Sequence, residues 1–196
     1  MKKMMLIAGL MAGALMLSGC GGGGPTAPAE ITPAEFNTKV QGVWFKKKDG
    51  NFCIDDNKTG MSQKVAISFS RKEGFEIATK KYSEYGCHES DLNLAVQWFY
   101  DYRFGKQSKT DDSDLAAKLP YVFPLDIIYT GVKVTKGSLD HIDSTGTTYY
   151  LMVGLTADDK LEFAENDKGR TSSKTKADRP SSFDLKDEWV FERAKK

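Results

Sequence analysis

From Leu92 to Phe104 the chain alternates: Leu92, Leu94, Val96, Trp98, Tyr100, Tyr102 and Phe104 are apolar or aromatic, and the residues between them are mostly polar or small. A helix would distribute these seven residues around its whole circumference, whereas a strand places them on one face. The aromatic content favours the strand. A strand of this length has to bend, either around a barrel or across two packed layers. This segment alone therefore commits the chain to a sheet with one continuous apolar face.

The same period of two recurs at Val65, Ile67 and Phe69, and at Phe75 and Ile77. Further strands are expected at about 43–48, 121–130, 131–136, 147–155, 160–165 and 187–193, with Ala157-Asp158-Asp159-Lys160 as the turn of a late hairpin. Eight or nine strands that are mostly sequential neighbours make an antiparallel meander. The expected fold is all-β, an up-and-down barrel of about eight strands, since closure removes both exposed sheet edges. One short helix precedes it. Thr32-Pro33-Ala34-Glu35 sets a hydroxyl cap, a proline in the first turn and a glutamate three residues past the cap, which predicts a helix over 33–40 with Phe36 and Val40 on one face. Residues 105–119 and 166–182 are long and polar, as functional rims or mobile loops are.

The first twenty residues carry a different signal. Lys2 and Lys3 precede an unbroken apolar stretch from Met4 to Leu17, and Leu17-Ser18-Gly19-Cys20 ends it on a cysteine behind small residues. Residues 4–19 fall short of the roughly 20 needed to span a bilayer core. The segment resembles a bacterial lipoprotein signal peptide. That resemblance implies cleavage between Gly19 and Cys20 and a diacylglyceryl group on Cys20, with a further acyl chain on its new amino group. Two or three chains hold a protein on a membrane almost permanently. Gly21, where inner-membrane lipoproteins of enterobacteria carry Asp, implies the outer membrane of a Gram-negative cell; periplasmic and surface faces both stay open. Residues 1–19 are then the leader, 20–31 a lipidated cysteine and Gly/Pro-rich tether, and 32–196 a single domain.

The leader holds two of the 28 basic residues and none of the 27 acidic ones, so the mature chain has 26 against 27 and a formal charge of −1. That balance offers nothing to nucleic acid. Lys46-Lys47-Lys48 and Lys80-Lys81 read as solvated strand edges. With Cys20 committed to lipid, Cys53 and Cys87 remain, and an even pair in an exported chain reads as a disulfide.

Gly42-Val43-Trp44, just after the short helix, resembles the Gly-x-Trp motif that opens lipocalin and related calycin barrels. The resemblance implies that Gly42 lets the strand start beneath the helix, that Trp44 plugs the closed end, and that a basic residue from the final segment, here Arg193, stacks on the indole. A second likeness spans nearly the whole mature chain. Gly-x-Trp, Cys53, Tyr82 or Tyr85, Cys87, Asp159-Lys160-Leu161 and Arg179-Pro180-Ser181-Ser182 resemble the pattern of a group of uncharacterised bacterial lipoproteins. That group implies the fold and brings no activity with it.

Chemistry is sparse. The chain has no Gly-x-Ser-x-Gly elbow, phosphate loop or His-Glu-x-x-His, and adjacent carboxylates such as Asp55-Asp56 and Asp111-Asp112 point apart on a strand. Asp140-His141-Ile142-Asp143 lies between glycine and serine clusters and reads as a solvated turn rather than a metal site. No cofactor or metal is expected. The expected function is a non-enzymatic outer-membrane lipoprotein whose barrel binds a small apolar ligand or a host or envelope protein, with Trp98, Tyr100 and Tyr102 as lining residues. The alternative is a structural or interaction lipoprotein whose barrel is filled and carries no ligand.

Overall fold

The computed structural model describes residues 29–48, 50–109, 113–166, 169–183 and 190–194. Residues 1–28, which hold the expected leader, the expected cleavage residues Leu17, Ser18 and Gly19, the expected lipidation site Cys20 and most of the expected tether, lie outside the described residues, as does Trp189.

The chain enters through α1 (Pro33–Val40), whose first turn is held by a reciprocal cap. The Glu35 amide donates to Thr32 Oγ1 at 3.2 Å, and the Thr32 amide donates to Glu35 Oε2 at 2.7 Å. Strands β1 (Gly42–Lys46), β2 (Ile54–Asp56), β3 (Met61–Ser70), β4 (Gly74–Tyr82) and β5 (Leu92–Phe104) follow. After a second short helix, α2 (Ser113–Lys118), come β6 (Tyr121–Lys136), β7 (Thr148–Leu155), β8 (Lys160–Phe163) and β9 (Val190–Arg193). Every pairing is antiparallel. Because β1 pairs with both β9 and β3, eight strands close into a barrel, and β2 is an extra strand whose one strand partner among the described residues is β3.

The barrel matches the expected fold class, with three differences. Residues 121–136 form one strand, not two: Phe99 pairs with Gly131 and Tyr100 with Tyr129, so Thr130 is an extra residue absorbed as a bulge. β2 has no counterpart in the hydrophobic pattern. Lys46, expected to be solvated, is buried, because it shares the inward phase of Trp44 and sits opposite Phe191.

The core is built from rings at the end of the barrel that α1 covers. Phe36 stacks on Phe123 at 4.2 Å and meets the edge of Phe104 at 5.0 Å, while Phe69 contacts Phe75, Tyr102 and Phe104. Leu125, Ile127, Leu151, Val153 and Leu161 fill the space around them. This half of the lumen is packed solid, as protein interiors are.

Two devices bind loops to the wall. A disulfide joins Cys53 to Cys87 and ties the approach to β2 onto the β4–β5 connection, where the Cys87 amide also donates to Ser62 Oγ at 3.1 Å. Over β6 and β7, the described part of the polar segment 166–182, expected as a functional rim or a mobile loop, lies as a strap bridged to Tyr150 through Ser173. Arg179 donates to the Leu151 carbonyl at 2.6 Å, pairs with Asp126 and covers the Tyr150 ring at 5.3 Å, which fixes this segment across β6 and β7.

Candidate binding site at the open end of the barrel

Gly42, Trp44 and Arg193 meet at the closed end. Trp44 is fully buried and its Nε1 donates to the Val40 carbonyl at 2.8 Å, so the indole is tied to the last turn of α1. The Arg193 guanidinium lies 4.0 Å from the centre of the Trp44 ring and donates to the carbonyls of Gln41 and Lys39, each at 2.7 Å. A cation there satisfies carbonyls that a helix C-terminus leaves without partners. Gly42 has φ of 115°, in the region that favours glycine, and this turn brings the strand under the helix within reach of Arg193.

Tyr102 belongs to the same end. Its hydroxyl donates to Asn37 Oδ1 at 2.7 Å and accepts from Gln41 Nε2 at 3.1 Å, so it serves to hold α1. Trp98 and Tyr100 lie further along the same face of β5, toward the open end, with Trp98 opposite Ile77 and Val132. The structure therefore divides the three expected lining residues, one at the plug and two toward the mouth.

Tyr100 has two neighbours that alternation within β5 could not reveal. Tyr129 from β6 and Tyr149 from β7 pack edge-on against it, with ring centres 5.8 and 6.4 Å away. The Tyr149 hydroxyl donates to Asp143, which also accepts from Lys174 Nζ at 2.8 Å. These bonds bring the β6–β7 loop and the strap together over Tyr149. The Lys174 ammonium and the Tyr149 hydroxyl hold the Asp143 carboxyl below the usual range. Burial pushes the Tyr100 hydroxyl up to about 12, with Tyr129 and Asp143 adding to the effect. Burial, then Asp143, raises Tyr149 as well.

The hydroxyls of Tyr100 and Tyr129 make no hydrogen bond among the described residues. Tyr129 is itself buried, with 3% of its surface exposed, while Tyr100 is half-buried. The site thus brings together three tyrosine rings, two of whose hydroxyls have no hydrogen-bond partner among the described residues. His141 is solvent-facing, 3.8 Å from Asp143, and among the described residues no three His, Cys, Asp or Glu side chains converge as metal ligands.

The chain matches no family model, no curated protein and no solved structure. Its likeness to lipocalins is therefore one of architecture: a closed antiparallel barrel of eight strands with a short helix before its first strand.

The perturbed tyrosines give a direct optical test. In a spectrophotometric titration of the folded chain, Tyr82 and Tyr100 should ionise near pH 12, clear of exposed tyrosines near 10. Because these pKa values are raised on folding, the stability they contribute is complete below pH 10 and disappears as pH rises through about 12. A folded chain in which all eight tyrosines ionise together near 10 would contradict the site.

Proposed function

We propose that the protein is a lipid-anchored lipoprotein of a Gram-negative outer membrane whose barrel is a non-enzymatic, lipocalin-like binding module. The acylated Cys20 holds it at the membrane, and the open half of the lumen receives a small apolar ligand carrying a hydrogen-bond acceptor. The observation that carries this reading is the pair of unbonded hydroxyls on Tyr100 and Tyr129, set among aromatic faces at the unplugged end. Pockets of this kind are apolar with a few polar groups that fix orientation. The anchor rests on the lipoprotein-type leader and on the glycine-rich segment that follows Cys20.

One observation favours the second reading, an interaction module without a ligand. The closed half of the lumen is filled by Phe36, Phe69, Phe75, Phe104 and Phe123, so any ligand has only the upper half to occupy. Native mass spectrometry of the protein extracted from its own host reads anchor and ligand together and separates the two.

A further inference from the structure

The outer face of β3, β4 and β5 carries a groove of about 530 Å³. Its floor includes Ala66, Ala78 and Ala95, one small residue from each strand, and Ala66 sits directly opposite Ala78. These positions alternate with the inward residues Ile67, Ile77 and Val96, so the trough lies on the wall away from the lumen. Phe45 and Phe52 form one side, with ring centres 5.5 Å apart, and remain 36% and 45% exposed.

Charged side chains line the groove as well, in the cross-strand row Lys64, Lys80 and Ala95. Lys64 and Lys80 stand directly opposite each other across β3 and β4, a placement in which like charges repel. Lys80 is compensated by Glu89 at 3.0 Å. Lys64 has no direct ion pair among the described residues; its ammonium lies 5.4 Å from the centre of the Tyr82 ring. Glu89 also lines the groove and feels the charge of Lys64 as well as that of Lys80, so two lysines face one carboxylate. An apolar trough with that one excess positive charge is complementary to an amphiphile with one chain and one negative charge.

We propose that this groove is a binding site for a long-chain fatty acid, with the acyl chain over Ala66, Ala78 and Ala95 beside Phe45 and Phe52 and the carboxylate at Lys64. The site is separate from the lumen and does not depend on the lumen holding a ligand. Affinity rises about fourfold for each methylene buried until the trough is full. A neutral alcohol of the same length binds more weakly, because Lys64 has nothing to pair with.

The test uses the full chain as isolated from its host, placed in zwitterionic bilayer discs and labelled with a diazirine-bearing sixteen-carbon fatty acid, followed by peptide mapping. Labels are expected around Phe45 and Phe52 and on the β3–β5 alanines, with palmitate competing about tenfold better than hexadecanol. Ala78→Phe should fill the trough and cut labelling about tenfold, and Lys64→Gln should remove the preference for palmitate while labelling persists. Ala66→Leu gives a second, milder filling, and an unchanged thermal midpoint shows that either variant is folded. Equal competition by hexadecanol, or labelling that survives in both folded filling variants, overturns the proposal. So does a label confined to the bilayer lipid or to Trp98 and Tyr100; that last result would support the lumen alone.

Discussion

Trp44→Ala is expected to lower the free energy of unfolding by about 3 to 5 kcal/mol, the range for removing a large aromatic side chain from a packed core. The indole has no exposed surface and bonds to the Val40 carbonyl, and it is the platform on which Arg193 rests. Its removal therefore leaves a cavity and also loosens the last strand, whose Arg193 bonds the carbonyls of Lys39 and Gln41. Urea unfolding followed by circular dichroism reads the change as a shift in midpoint. A loss below about 1 kcal/mol would mean that Trp44 does not close the barrel.

Removing the Cys53–Cys87 bridge by a double serine substitution should cost about 3 to 4 kcal/mol, as expected for a cross-link spanning a sequence separation of 34. That is a large part of the roughly 5 to 15 kcal/mol that holds an ordinary domain together. The effect should be concentrated at one corner. Among the described residues β2 pairs with β3 alone, so its remaining ties there are three ladder positions and polar contacts such as the Gly86 amide donating to Asp55 Oδ1 at 3.2 Å. Amide hydrogen exchange should show β2 losing protection while β5 and β6 keep theirs. An unshifted urea midpoint, with β2 as protected as before, would show that the bridge adds nothing to the fold.

Long-period signals were legible in the sequence, and local ones without a period were not. Seven alternating residues in β5 announced a strand, and Thr32 to Glu35 announced the helix start, because each pattern is set by backbone geometry within one element. Gly42, Trp44 and Arg193 were legible only through their likeness to calycin barrels, since no rule of spacing links positions so far apart. β2 was hidden because Ile54-Asp55-Asp56 has no apolar alternation; its pairing depends on β3 and a nearby disulfide. The bulge at Thr130 interrupts the alternation just as a strand break does, so the pattern predicts two strands where the structure has one.

The candidate sites illustrate the same limit. Tyr100, Tyr102, Tyr129 and Tyr149 are all inward residues of strands the sequence reveals, yet which of them meet depends on barrel closure and register. Tyr102 falls beside Asn37 and is taken up by α1, while Tyr129 and Tyr149 fall beside Tyr100. The outer groove is less legible still. Ala66, Ala78 and Ala95 are unremarkable in sequence and become a trough only when β3, β4 and β5 bring them onto one outer face.

The most direct test of a lipid-held binding barrel is the native mass of the protein taken from its own host. The predicted species begins at Cys20, carries the mass of a diacylglyceryl group and a further acyl chain, and releases a small molecule on gentle activation. A bare polypeptide with no acyl mass and no retained ligand would contradict the account.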